Sequence, residues 1–307
     1  MEGVRWVQHL FGPEAYPVFV ALTYFGSSLA IWGLIAIVYW LVEPRFGRQL
    51  AVVVGAGFVI NQLLKVVIGT PRPYERDPSL ATRFAVSTGG GGGFPSGHTQ
   101  NAAEFWPSLA LRYRGARRGW LWAAALLMVV AVAASRLYLG VHSPEDVIGG
   151  AVIGGLLAAY GRALARPLPE RRVWGAVVAV LGLALALTGL DARGLGFLAG
   201  ALIAVPAFRP PRTLGRGLAF ALGGAVLVGV AGLALTRGLP DRWADAAGMV
   251  YLRFLALTLL AAEGWPRLAL RFGLVARMEE GERRDRNLVT QDVGQDEPDR
   301  DAPLARR

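Results

Sequence analysis

The twenty residues from Gly217 to Thr236 carry no charged side chain, and Arg216 and Arg237 close the run at its two ends. A helix of that length covers about 30 Å, the thickness of a hydrocarbon layer, and satisfies its own peptide groups. Similar apolar runs recur near residues 16 to 42, 49 to 68, 98 to 111, 120 to 140, 145 to 161, 173 to 190, 195 to 208 and 246 to 264. With 54% hydrophobic and 18% charged residues and a mean hydropathy of +0.42, the chain has too little polar surface for a water-soluble globule. The expected fold is all-α, a polytopic transmembrane bundle of about nine helices. The third and seventh runs are short, and 195 to 208 reads equally as a re-entrant or interfacial segment.

The net charge of +10 does not point to nucleic acid, because the arginines sit in the short connections between apolar runs and in the C-terminal stretch. Alternate connections hold 13 Arg or Lys against nine, and of those nine Lys65, Arg72 and Arg136 belong to the site described below. The bias predicts an N-terminus outside the cytoplasm, a C-terminus inside, and outer loops at 69 to 97 and 140 to 144. The first run is not expected to be a cleaved signal, since Glu2 and Glu14 precede it without a basic leader. Absence of cysteine removes disulfides, thiolate nucleophiles and thiolate metal ligands, so any chemistry uses oxygen or nitrogen groups.

Ionisable residues at membrane depth are costly and usually functional, and three clusters lie at the outer ends of helices. In Lys65-Val-Val-Ile-Gly-Thr-Pro-Arg72-Pro73 two cations flank a helix break, a pairing suited to an oxyanion, or simply positive charge at a helix C-terminus. Phe94-Pro95-Ser96-Gly97-His98-Thr99 follows five glycines, Gly89 to Gly93, and opens a helix whose free amides suit an anion; Ser96 as an N-cap after a flexible linker is the plainer reading. In Ser135-Arg136-Leu-Tyr138-Leu-Gly140-Val-His142-Ser143-Pro144-Glu145-Asp146, His142 precedes a helix start, and Asp146 serves either to orient its imidazole or to close a capping box with Ser143.

These clusters resemble, in order and spacing, the signature of the type 2 phosphatidic acid phosphatase superfamily: K-x6-R-P, P-S-G-H and S-R-x5-H-x3-D, over roughly residues 50 to 165. The resemblance implies that His142 attacks phosphorus and becomes a phosphohistidine, that Asp146 orients it, and that His98 protonates the leaving oxygen. It implies further that Lys65, Arg72 and Arg136 clamp the phosphoryl oxygens with the Ser96 hydroxyl and the Ser96 and Gly97 amides, with no metal and no cofactor. A metal site on Asp77 and Asp146 lacks a clustered ligand set. Glu104, Asn101 and Ser108 on the third helix, and Asn61 before Lys65, read as interhelical hydrogen-bonding groups, and Gly150 with Gly154 as a close packing face.

The expected organisation is an extracytoplasmic segment at 1–15, a catalytic membrane core at 16–165 with its active site at the extracytoplasmic helix ends, additional helices at 166–276 and a disordered cytoplasmic tail at 277–307. An N-terminus outside and nine helices resemble the branch holding glucose-6-phosphatase and sphingosine-phosphate phosphatases. The function expected is a phosphatase of the plasma (inner) membrane, acting on a lipid phosphate or polyprenyl pyrophosphate presented by the bilayer. The alternatives are a sugar-phosphate phosphatase and a non-catalytic anion-binding protein or transporter. A vanadate-dependent haloperoxidase is disfavoured because those enzymes are soluble. No nucleic-acid partner is expected, and the oligomeric state is left open.

Overall fold

The computed structural model describes residues 2–113, 118–166, 171–238, 240, 243 and 245–278. In chain order the helices are α1 (Glu2–Phe11), α2 (Tyr16–Tyr24), α3 (Ser28–Ile37), α4 (Pro44–Ile68), the short α5 (Pro73–Arg76) and α6 (Arg83–Ser87), α7 (Gly97–Arg112), α8 (Arg118–Tyr138) and α9 (Pro144–Leu164). They continue as α10 (Arg171–Leu187), α11 (Ala192–Ile203), α12 (Leu214–Arg237), α13 (Ala247–Leu259) and α14 (Trp265–Arg271). Among the described residues the extended structure is one antiparallel pair, Phe208–Arg209 with Ala276–Arg277.

The chain is a multi-pass helical membrane protein. By length and composition five spans are sufficient, Pro44–Arg76, Gly119–Tyr138, Pro144–Leu164, Leu214–Arg237 and Ala247–Arg271, with a bent pair from Pro13 to Val42 as a sixth. The apolar runs suggested nine. The difference lies in α10 and α11, which are short, and in α7, which has 16 residues and buries Gln100, Asn101, Glu104 and Ser108 inside the bundle.

The first run is not one straight helix. It breaks at Phe25–Ser27 with a bend of 48°. Ser27 caps α3, its side chain accepting from the Ala30 amide, and Asn101 Nδ2 donates to the Gly26 carbonyl at 3.1 Å. Any Cβ at Gly26 would run into the His98 carbonyl, so the break brings this backbone against the first turn of α7.

Helix α7 is the centre of the site-bearing half, packed between α4, α8 and α9. Its approach to α9 depends on Gly150, whose added Cβ would meet the Ser96 carbonyl, and on Gly154, whose added Cβ would meet the Gln100 carbonyl, as the small-residue spacing anticipated. A chain of buried amides ties α7 to α4. Asn61 Nδ2 donates to the Pro95 carbonyl at 3.2 Å and to Gln100 Oε1 at 2.9 Å, while Gln100 Nε2 donates to the Gly57 carbonyl and to Glu104 Oε1, both at 2.8 Å.

The remaining helices fasten to the other end of α4. Buried Arg48 donates to the carbonyls of Ala165 at 2.7 Å, Ala204 at 2.8 Å and Leu202 at 3.0 Å, closing the C-terminal ends of α9 and α11 with one guanidinium. Two π-helical turns, Val38–Val42 and Leu260–Gly264, face each other, with Tyr39 Oη donating to the Ala262 carbonyl at 2.7 Å and Trp40 Nε1 to the Ala261 carbonyl at 2.9 Å. Residues 1–15, expected only as an outer segment, include the helix α1, which buries Val4 and Val7 and extends Gln8 Nε2 to the Leu80 and Tyr138 carbonyls, each at 2.8 Å. The expected tail lies outside the described residues beyond Met278, while Arg277 belongs to the strand pair.

Replacement of Gly154 by Leu forces α7 and α9 apart and is expected to destabilise the fold by about 1–3 kcal/mol. The check is a lowered melting temperature in detergent, with Gly155→Leu, where a Cβ meets open space, as the tolerated neighbour.

Candidate active site

All three clusters converge. Lys65 lies in the last turn of α4, Arg72 at the start of α5, Ser96 to His98 at the start of α7, Arg136 near the end of α8, and His142 with Asp146 where the chain turns into α9. Lys65, Arg72, Arg136, His142 and Asp146 are buried, with Arg136 wholly so and His142 2% exposed. Buried charges survive only with partners.

His142 is held at both ring nitrogens. Nδ1 lies 3.3 Å from Asp146 Oδ2, and Nε2 lies 3.3 Å from an Arg72 guanidinium nitrogen. With Nδ1–H donating to the carboxylate, Nε2 keeps its lone pair toward Arg72. The same Asp146 Oδ2 accepts the Ser143 amide at 2.8 Å, and Ser143 Oγ accepts the Asp146 amide at 3.4 Å. The capping box and the contact with His142 are therefore simultaneous, not alternative. Burial, then the positive charges of Arg136, Arg72 and Lys65, push the His142 imidazole well below the ordinary histidine range.

Around this pair Arg72 and Lys65 donate to backbone oxygen, and Arg136 donates mainly to hydroxyls. Arg72 donates to the carbonyls of Gly90 at 2.8 Å, Gly91 at 2.9 Å and Val141 at 3.1 Å. Lys65 Nζ donates to the Gly92 carbonyl. Arg136 donates to the Thr23 hydroxyl at 2.7 Å and the Thr88 hydroxyl at 3.0 Å. The glycine run read as a flexible linker is thus bonded across the site.

The start of α7 is fixed through Ser96, whose amide donates to the Asp146 carbonyl at 2.9 Å while its hydroxyl pairs with Thr99 Oγ1 at 3.0 Å and caps the helix. The Ser96 amide is therefore already engaged, and the free donors of the helix start are those of Gly97 and His98. His98 sits half-buried within electrostatic reach of Arg136, His142, Arg72 and Lys65. Asp77, considered with Asp146 for a metal, is half-buried and pairs with Arg5 at 2.6 Å. Among the described residues no group of three or more His, Asp or Glu is placed to hold a metal ion.

Three threonines were not singled out from the sequence. Thr23 and Thr88 support Arg136, and Thr70 accepts the Gly93 amide on its carbonyl at 2.7 Å and the Phe94 amide on its hydroxyl at 2.9 Å. Thr70 lies inside the first cluster, so its position between Lys65 and Arg72 was the available signal. A hydroxyl in an apolar run, like Thr23, gives none.

Residues 46–168 match the family model described as the PAP2 superfamily. The chain is 30% identical over 155 residues to phosphatidylglycerophosphatase B of Bacillus subtilis, covering 47% of this chain and 72% of that protein. The chain belongs to the type 2 phosphatidic acid phosphatase superfamily. It is also similar to undecaprenyl-diphosphatase BcrC of Bacillus subtilis, at 28% identity over 41% of this chain and 63% of that protein, and to the lipid A 4'-phosphatase of Bacteroides thetaiotaomicron, at 34% identity over 31% of this chain and 42% of that protein. No solved structure matches the chain. The matched span holds all three clusters, from Lys65 to Asp146.

Two measurements follow from this geometry. A lowered His142 pKa keeps the imidazole neutral as the pH falls through 6.5, so the acid limb of kcat/KM, corrected for substrate ionisation, should have its midpoint below 6.5; a midpoint above it would contradict the environment described. Asp146→Asn removes the acceptor of Nδ1–H and weakens the cap together. It should lower kcat by at least about 100-fold, while the cap accounts for only about 1 kcal/mol of stability by melting.

Proposed function

We propose that this protein is a membrane phosphatase that hydrolyses a lipid phosphate or a polyprenyl pyrophosphate through a phosphohistidine at His142. The observation that carries the reading is the buried His142, with Asp146 on Nδ1 and a guanidinium on Nε2, inside a ring formed by Lys65, Arg72 and Arg136. The names of the relatives, which include a phosphatidylglycerophosphatase and an undecaprenyl-diphosphatase, support the substrate class.

In the first step the Nε2 lone pair of His142 forms a bond to phosphorus on the side opposite the leaving oxygen. The P–O bond to the lipid breaks, its electron pair goes to that oxygen, and His98 supplies the proton. Asp146 holds the Nδ1 proton and balances the charge growing on the imidazole. In the second step water attacks phosphorus, His98 takes its proton, the P–N bond breaks toward Nε2, and inorganic phosphate leaves. Arg72, Lys65 and Arg136 neutralise the equatorial oxygens in both steps, assisted by the amides of Gly97 and His98.

The core at 16–165 carries this chemistry, and the helices at 166–276 act as a buttress fastened at Arg48. With the expected orientation, in the plasma (inner) membrane, the site faces out of the cytoplasm and the C-terminus faces in. A bilayer-borne substrate then reaches it from the interface.

The test is phosphate release by detergent-purified protein with excess chelator, across phosphatidic acid, phosphatidylglycerol phosphate, a polyprenyl pyrophosphate, a sphingoid phosphate and glucose-6-phosphate. His142→Ala should reduce turnover at least about 1,000-fold, and His98→Ala by about 100- to 10,000-fold, most severely for poor leaving groups. Near-normal turnover in His142→Ala would end the covalent mechanism, and preference for glucose-6-phosphate would end the lipid assignment.

A further inference from the structure

The segment from Thr88 to Gly92 supplies oxygen acceptors to all three cations of the site. Arg136 bonds the Thr88 hydroxyl, Arg72 the carbonyls of Gly90 and Gly91, and Lys65 the carbonyl of Gly92. Gly90 and Gly91 are themselves exposed, whereas Arg72 and Lys65 beneath them are buried. The segment is a roof made of main chain, and it is the roof that hides the cations from water.

Its two ends are fixed. Upstream, the amides of Thr88 and Gly89 donate to Ala85 and Val86 at 3.1 Å each, and the Thr88 hydroxyl donates to the Ala85 carbonyl at 2.6 Å. Downstream, Thr70 accepts the amides of Gly93 and Phe94. Between these anchors lie Gly90, Gly91 and Gly92, which can rearrange without disturbing either end. Gly91 has φ of +64°, a conformation that disfavours any residue with a Cβ.

We propose that residues 90–92 form a strap that holds the donors of Arg72 and Lys65 and is displaced when a phosphate monoester end binds. This makes the strap a determinant of specificity, and it rests on the phosphatase reading above. A bond from guanidinium or ammonium to an anionic phosphoryl oxygen adds Coulomb attraction between two full charges to what a neutral carbonyl offers. A terminal phosphoryl group brings three non-bridging oxygens and close to two negative charges, enough to take over Lys65 and Arg72 from the strap. A phosphodiester brings two such oxygens and one charge. The strap therefore sets a threshold that a terminal phosphate passes and the phosphodiester headgroups of ordinary membrane lipids do not.

The experiment uses orthovanadate, a phosphoryl analogue, on the full chain in detergent. Gly91→Ala disfavours the strapped conformation and should lower the vanadate inhibition constant about five- to tenfold, with inhibition by a short-chain phosphodiester lipid strengthened as well. An inhibition constant that is unchanged or raised, in protein melting like the wild type, would overturn the strap. Should Gly91→Ala fail to fold, Gly90→Cys gives the same decision. A Cβ at Gly90 meets open space and the chain has no other cysteine, so a nitroxide attached there reports on the strap alone. Saturating vanadate should mobilise the label, and an unchanged spectrum while vanadate still inhibits would overturn the proposal. Failure of vanadate to inhibit the wild type is a separate result, which removes the phosphate site and the strap with it.

Discussion

Three like charges are buried within one pocket here, and most of the surrounding fold answers that demand. Lys65, Arg72 and Arg136 are far from bulk water and close enough to repel one another, and desolvating even one such group costs several kcal/mol unless acceptors replace its water. The acceptors come from separate places in the chain: the glycine segment, the turn before α9, and the threonines of α2 and of the loop after α6. Backbone carbonyls suit the task, since they bring dipoles without fixing the pocket as neutral ion pairs. The single carboxylate against His142 is reserved for the imidazole and the cap.

The second requirement is closeness. The start of α7 must lie against the start of α9 so that Ser96, His98, His142 and Asp146 share one volume, and glycine at 150 and 154 permits it. The Ser96 amide bonded to the Asp146 carbonyl then locks the two helix starts in register. From below, Asn61 and Gln100 hold the Pro95 carbonyl and the α4 backbone, so the loop before α7 is carried on a rigid floor. Such support is what keeps first-contact residues within the tolerance that phosphoryl transfer needs.

Much of this was legible in the sequence for a clear reason. The cations and histidines of the proposed site are expensive in a membrane, so each stands out against an apolar background, and their spacing matches one superfamily signature throughout. The long spans followed from length and hydropathy, whereas α1 and the break at Phe25–Ser27 did not. What stayed hidden were the contacts made across long stretches of chain by residues of ordinary type. Thr23 is one hydroxyl in an apolar run 113 residues from Arg136, and the break beside it depends on the close approach of α7, which no local pattern encodes. The glycines were visible, but sequence alone does not distinguish a slack linker from a main-chain roof. Asp146 looked like a choice between two roles because a sequence assigns one partner at a time, whereas a carboxylate oxygen accepts from two donors.

The facing π-helical turns have a consequence for how this chain can vary in length. A π turn holds one residue more than the α-helix around it, and losing that residue rotates the rest of the helix by about 100°. At Val38–Val42 and Leu260–Gly264 the surplus residues place Tyr39 and Trp40 against the Ala262 and Ala261 carbonyls, which become available as acceptors where the second helix loosens. A one-residue deletion in either turn would turn these aromatic donors and the Ala261 and Ala262 carbonyls away from each other. The seam therefore tolerates substitution along its apolar wall far better than it tolerates a change in residue count, and the two turns are bound to be kept or lost together.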